Sequence, residues 1–404
     1  MSSVVQRRAL IVVPVVLAVV MTACSKKTTT TTGSSSSPTA VPSLSATSFT
    51  SDMSAMAQLT GLAASGKGNI GVLLPDTASS VRYTQFDQPL LTQAFMKAGL
   101  TSSQFTIDNA GGSDQTELSQ AQSLITSGAS VLLVDPLDSG VGASIESYAK
   151  QQGVKTIDYD RLVLGGSRDY YVSFNNEKVG ELIGQGAVDC VTAWNVAKPA
   201  VFELDGSPTD NNATLFAQGY NTILKPKFDS GAYTKVAEQP TPDWNADKAL
   251  TIFQQAYTAN KNINTVVSAN DGLGNSVISV LKTNKIPAKT VPVTGQDATL
   301  GGLDNILDGF QCGTVYKPIF LEAQAAAALA LYLRAKDTPP TGLVNGTTKD
   351  TMANPNVDVP SVLLTPTWVT TKNMNSTVVA DKFIDKTMLC AAPHTAACTS
   401  AGIS

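Results

Sequence analysis

The sequence is poor in the residues that most catalytic and nucleic-acid-binding proteins need. It has one histidine in 404 residues, His394, close to the C-terminus. Ser-His-Asp catalysis and histidine-ligated metal sites each require an imidazole inside a formed pocket, so both are effectively excluded. It lacks a basic excess: 28 lysines and arginines face 32 aspartates and glutamates, for a formal net charge of -4. Holding a phosphate backbone needs the opposite balance, so nucleic acid is not an expected partner. Aromatic residues are few, at 6%, and charged ones make up 15%. The 43% of hydrophobic residues suffices for real cores, but past the N-terminus no apolar run is long enough to span a bilayer. The length suggests two or three domains.

What is present begins with an address. Arg7 and Arg8 precede the apolar run Ala9 to Val20, too short for a transmembrane helix and suited to a signal-peptide core. The run ends in Met21-Thr22-Ala23-Cys24, which resembles a bacterial lipobox. Residues 1–24 are therefore expected to be a lipoprotein signal with Cys24 as the lipidated first residue of the mature chain. Residues 25–67 are rich in Ser, Thr and Ala and read as a disordered tether, because such a segment buries too little apolar surface to offset its ordering entropy. An extracytoplasmic protein, held to the membrane by a lipid anchor only, follows.

That compartment favours disulfides among the remaining cysteines, Cys190, Cys312, Cys390 and Cys398. Three pairings are possible. Local closure is easiest for Cys390 with Cys398, which leaves Cys190 for Cys312; the alternative is four small buried thiols. No CxxC spacing occurs, so no metal site and no cofactor are expected.

From Asn69 onward, short apolar runs (Ile70–Leu74, Val131–Val134, Val154–Ile157, Val201–Leu204, Thr265–Ser268, Val291–Thr294) alternate with segments of helical periodicity such as Glu117–Ile125, Ala143–Ala149, Val179–Val188 and Leu250–Tyr257. Asp114 with Glu117 reads as a helix-capping pair. This is the pattern of an α/β fold with parallel sheets, and about ten strands suggest two sheets of about five. Polar residues follow the strand ends, at Asp158-Tyr159-Asp160-Arg161, Asp205-Gly206-Ser207, Ala269-Asn270-Asp271 and Gly295-Gln296-Asp297. Open parallel sheets bind ligands beyond those ends.

Several segments together carry a family resemblance: Tyr159-Asp-Arg161, Tyr171 to Gly180, Gly206 to Asn212, Ser268 to Asp271, Gly295-Gln-Asp297, Thr314 to Pro318 and Leu363 to Pro366. In order and spacing they resemble the type I periplasmic sugar-binding proteins of ABC importers, and within them the branch that binds D-xylose. The resemblance spans about 300 residues, from Asn69 to Pro366. It implies two doubly wound parallel-sheet lobes joined by a three-segment hinge: residues 68–172 with 318–360, and 173–317 with 361–400. It implies ligand contacts from Arg82, Tyr83, Asp160, Arg161, Asp210, Asn212, Trp244, Asn270, Asp297 and Lys317. Tyr83 stands where that branch has a tryptophan, and Asn175 where it has an aspartate.

A neutral monosaccharide, D-xylose or a related aldose, would suit this set. Its hydroxyls donate and accept, carboxylates and arginine forks complement them, and an indole covers a C–H face. Each residue also has a plainer reading. Asn211 and Asn212 could cap a helix, Trp244 could be core, and Asp135, Asp205 and Asp271 read as turn caps outside the site. Trp194 and Trp368 are assigned to structure. The implied protein is a monomeric, non-enzymatic receptor that delivers its sugar to ABC permease subunits. A sensor presenting the sugar to a membrane receptor or kinase is the alternative; a repressor would need an N-terminal helix-turn-helix, which is missing.

The lipobox generates a direct test. Mass spectrometry of the membrane-extracted protein is expected to find a diacylglyceryl Cys24 at the mature N-terminus; an unmodified Cys24 in a freely secreted product would remove the anchor.

Overall fold

The computed structural model describes residues 43–353 and 356–403. The expected signal segment, Cys24 and the expected tether as far as residue 42 lie outside the described residues. From residue 43 the chain is folded, which corrects the expectation of a tether to residue 67. Two short 3-10 turns lead into α1 (Thr60–Ser65), and Leu44, Phe49, Met53, Met56, Leu59, Leu62 and Ala63 are all buried. From Phe49 to Leu62 the Ser/Thr/Ala background masks a buried apolar residue every three or four positions, which is enough to dock one face.

The chain then builds β1 (Asn69–Leu74), α2 (Gln88–Lys97), β2 (Phe105–Asn109), α3 (Asp114–Thr126), β3 (Ala129–Val134), α4 (Ser139–Gln151), β4 (Lys155–Tyr159) and β5 (Tyr170–Phe174). It crosses into a second lobe through α5 (Asn176–Ala193), β6 (Ala200–Asp205), α6 (Asn211–Asp229), β7 (Thr234–Pro240), α7 (Ala246–Ala259), β8 (Thr265–Ser268), α8 (Asp271–Thr283), α9 (Leu300–Asp308) and β9 (Thr314–Tyr316). It returns as α10 (Ile319–Ala335), β10 (Gly346–Asp350) and β11 (Val357–Leu364), then crosses again to β12 (Thr367–Val369), α11 (Lys386–Leu389) and α12 (Thr395–Ser400).

The first sheet has seven strands in the order β10-β11-β5-β4-β3-β1-β2, all parallel except the β10–β11 pair. Strands β5 and β11 lie side by side in it, so the expected lobe boundaries at 172 and 360 fall inside paired strands. The three crossings are instead near residues 175, 317 and 365. In the second lobe β7-β6-β8 form a parallel sheet, and β9 pairs antiparallel with β12. The two pieces are linked by single bridges, Val266 to Val293 and Gln296 to Val315. The expected strand Val291–Thr294 contributes only that bridge, because Pro292 has no N–H for a ladder. Sheets of seven, three and two strands therefore replace the expected two of five.

Local capping also differs from expectation. Ser113, not Asp114, caps α3 by accepting the Thr116 N–H at 3.3 Å, and the Glu117 carboxylate accepts the Leu137 N–H at 3.1 Å. Helices α5 and α6 pack closely because Gly180 and Gly219 face each other's backbones, where any Cβ would clash. Cys190 is bonded to Cys312, and Cys390 to Cys398. The first joins α5 to the segment before β9; the second closes the C-terminal knuckle.

Helix α10 is buried almost all round, as its Ala- and Leu-rich sequence requires. The N-terminal segment fastens to it. Gln324 Nε2 donates to the Thr50 carbonyl at 2.9 Å, and Arg334 donates to the carbonyls of Ala63 and Gly68 at 2.7 Å each. Leu59→Ala is therefore expected to cost about 2–4 kcal/mol of stability, read by urea unfolding. A variant as stable as the wild type would show that residues 43–67 do not help to hold the lobe.

Candidate functional site

Nearly every side chain of the site sits just past the carboxyl end of a strand. After β1, the Asp76 carboxylate accepts the N–H groups of Ala78 and Ser79 and the Ser79 hydroxyl, at 2.6 Å each, and so shapes the loop that presents Ser79 to Tyr83. After β4 comes Asp160, in the left-handed region at φ 58°, followed by Arg161. In the second lobe, Asp210 caps α6 by accepting the Asn212 N–H at 2.9 Å, so the capping role expected of Asn211 and Asn212 belongs to Asp210. After β7, Trp244 also takes a positive φ, 53°, as does Asp297 at 93° after the Val293 bridge. Three non-glycine residues in that costly region at one site indicate a surrounding structure that overrides the local preference. Asn270 caps α8 through the Leu273 N–H at 2.9 Å, and Lys317 lies on the second crossing.

All ten residues expected at the site line one cavity. Ser79, Ser80, Phe216 and Gln296 line it too and escaped the sequence reading. Three of them carry a usable signal: Ser80 is two residues from Arg82, Phe216 is one helical turn after Asn212, and Gln296 precedes Asp297. Asp135, Asp205 and Asp271 stay outside the lining, as expected, but none is mainly a turn cap. Asp135 faces Arg161 Nε at 3.7 Å, and Asp205 accepts the Tyr220 hydroxyl. Asp271 accepts from Gln311, Thr314 and Thr299, and burial pushes its carboxyl up to about 7.

Arg82 is the centre of charge. Its guanidinium is fully buried and bonds Asp160 (2.7 Å), Asp87 (2.7 and 2.9 Å) and Glu322 (2.7 Å). Burial alone would lower the Arg82 pKa; Asp160 and Asp87, with a smaller part from Glu322, outweigh it and raise it well above its usual value. Burial likewise works to raise Asp160, but Arg82, Lys317 and Arg161 hold its carboxyl below the ordinary range. Asp210 goes the other way, raised by burial with Arg161 in opposition.

Opposed lobes meet across the cavity. Arg161 Nε lies 3.3 Å from Asp210 Oδ2, and the Ser80 hydroxyl donates to Asp297 Oδ2 at 3.1 Å. Lys317 Nζ stands 3.7 Å from Asp160 Oδ1 and 3.4 Å from Asp297 Oδ1. Trp244 donates its indole N–H to Asp210 Oδ2 at 3.0 Å and meets Phe216 edge-on at 6.3 Å. Gly206 lies against the indole, where any side chain would strike the ring. Trp244 is thus both a packed residue and a wall of the cavity. Three cations and three carboxylates balance around the space. Gln296 Oε1 is buried there and accepts no hydrogen bond, and Asp297 Oδ1 has the Lys317 ammonium at 3.4 Å. Such a chamber suits an uncharged molecule rich in hydroxyls.

Residues 70–337 match the periplasmic binding protein domain family. The chain is 38% identical over 288 residues to the D-xylose-binding periplasmic protein of Escherichia coli (strain K12), covering 71% of this chain and 83% of that one. It is 31% identical over 330 residues to the multiple sugar-binding periplasmic protein SbpA of Azospirillum brasilense, covering 78% and 89%. Among solved structures, a carbohydrate transporter solute binding protein from Chloroflexus aurantiacus in complex with D-glucose superposes with a TM-score of 0.69 at 25% identity, covering 79% of this chain and 97% of that one.

Glu322 gives the site a pH signature. Burial pushes its carboxyl from 4.5 up to about 8, with Arg82 opposing and Asp160 and Asp87 adding to the rise. The folded protein then keeps a proton that the unfolded chain has released, so this contribution to stability is full below about pH 4.5 and lost as pH rises through about 8. Glu322→Gln preserves the acceptor and cannot ionise. Urea unfolding between about pH 5 and pH 8.5 should show the variant gaining on the wild type as pH rises; parallel curves would mean that Glu322 is ionised throughout.

Proposed function

The chain belongs to the periplasmic binding protein family, and from that premise we propose that it is a lipid-anchored, monomeric receptor capturing D-xylose or a related aldose for an ABC permease. Members of the family are transport receptors, not enzymes. The single observation behind the sugar reading is the cavity itself: charge-balanced, lined from both lobes, and carrying in Gln296 Oε1 a buried acceptor that a sugar hydroxyl would satisfy. The names of the relatives agree, one binding D-xylose and another multiple sugars.

Mechanism follows from where the groups are anchored. Arg82, Tyr83, Asp160 and Arg161 come from the first lobe; Asp210, Asn212, Trp244, Asn270 and Asp297 come from the second. A ligand held by only one set gains part of its binding energy. Closure adds the other set, so the sugar favours the closed form in proportion to that difference. The indole N–H bond to Asp210 orients the Trp244 ring while leaving its apolar body to cover C–H groups. A permease that separates the lobes would withdraw half of the contacts and release the sugar.

Calorimetric titration against a panel of aldoses tests this, with D-xylose expected to bind saturably and to change the emission of the three tryptophans. Trp244→Ala should weaken binding by about 1–3 kcal/mol, on the scale of uncovering a large apolar group. If no aldose binds, the sugar reading is wrong; if Trp244→Ala binds like the wild type, Trp244 is only a packing residue.

A further inference from the structure

The C-terminal segment beyond β12 reaches back to the first lobe through one aromatic ring. Phe383 stacks on Phe86 with centroids 4.1 Å apart and planes within 11°. It also meets Tyr316 edge-on at 4.9 Å. Neither partner lines the cavity, yet each adjoins residues that do. Phe86 belongs to the turn Tyr83–Asp87, which begins at the cavity residues Arg82 and Tyr83 and ends at Asp87, twice bonded to the Arg82 guanidinium. Tyr316 is the last residue of β9, immediately before Lys317. Arg82 and Lys317 converge on the same oxygen, Asp160 Oδ1, at 2.7 and 3.7 Å.

Phe383 is itself held from behind. The Tyr316 hydroxyl donates to Asp381 Oδ2 at 3.1 Å, two residues before it. Farther on, the knuckle closed by Cys390–Cys398 is fastened to α9, with His394 Nδ1 and Nε2 each 3.2 Å from carboxylate oxygens of Asp304 and Asp308. The ring is nine-tenths buried. It edges a groove between the lobes formed with Ser51, Leu90 and Phe320.

We propose that Phe383 is a positioning residue for the sugar site: by stacking on Phe86 across the lobes, it holds the Arg82 turn and the Lys317 crossing in the arrangement that binds the ligand. A stacked aromatic pair attracts beyond the area it buries and loses that contact when one ring is replaced by an aliphatic side chain. The ring touches no ligand; it acts through Phe86 and Tyr316. This rests on the aldose reading above, and the test separates the two.

D-xylose titrations of the wild type, Phe383→Ala, Phe383→Leu, Phe383→Tyr, Phe86→Ala and the Phe86→Ala/Phe383→Ala double variant read the outcome. Affinity is expected to fall at least tenfold in Phe383→Ala and to stay at least fivefold down in Phe383→Leu. Phe383→Tyr, which keeps the ring, should return to within threefold of the wild type. The double variant should be no more than threefold weaker than either single one, because both remove the same stack. Full-strength binding in Phe383→Ala or Phe383→Leu, or two losses that multiply in the double variant, would overturn the proposal. If Phe383→Ala does not fold, the Leu and Tyr variants decide it. A wild type that binds no aldose would instead sink the sugar reading, and this inference with it.

Discussion

One buried guanidinium organises this protein. Arg82 sits at the start of the turn after β1 and joins that turn to the loop after β4 and to the first turn of α10, through Asp87, Asp160 and Glu322. Tyr159 donates its hydroxyl to Asp87 as well. Taking a guanidinium and three carboxyl groups out of water is expensive, and the mutual attraction repays it only when every partner is in place. Removing one member strands the others. The floor of the cavity is therefore rigid for the same reason that it is charged, and Asp160, which faces the cavity, is held in its left-handed backbone conformation by a network deeper than itself.

The roof is held differently. Besides the Phe86–Phe383 stack away from the cavity, the lobes touch across the cleft through Arg161 with Asp210, Ser80 with Asp297, and the Asn212 side chain, whose amide donates to the Asp160 carbonyl at 2.9 Å. These are polar contacts between groups that water could serve almost as well, so each contributes little net energy. The rigid part of the site lies within the first lobe and the exchangeable part lies between lobes. In the proposed receptor, that division would let a small ligand decide whether the lobes stay together.

Much of this was legible in the residues, and unevenly so. Central strands such as β1 and β3 are buried on both faces and read as nearly continuous apolar runs, so they were found at nearly their true ends. The ten expected cavity residues were legible through a family resemblance, because it rests on short segments that recur in order; spacing alone would not have gathered Trp244 and Arg82. What escaped depended on contacts distant in sequence. Strand β11 is a strand of the first lobe only because β5 waits beside it, and nothing near Val357 announces that. Gln296 looks like a loop residue until the two lobes enclose it. Residues 43–67 carried the composition of a linker, and their apolar spacing mattered only once α10 supplied a surface to cover. Pro292 was the one local sign that the run at Val291 could not pair fully.

The placement of β11 next to β5 has a consequence for how the chain is made. The first lobe receives β10 and β11 only after the entire second lobe has been synthesised, since residues 176–316 intervene. Until then β5 is an open edge, with unpaired N–H and C=O groups that invite pairing with another chain. A ribosome or an export channel releasing the polypeptide from its N-terminus therefore presents a half-finished sheet from the emergence of β5 until that of β11. Holding the chain unfolded until β10 and β11 emerge would serve this topology better than letting the first lobe condense alone.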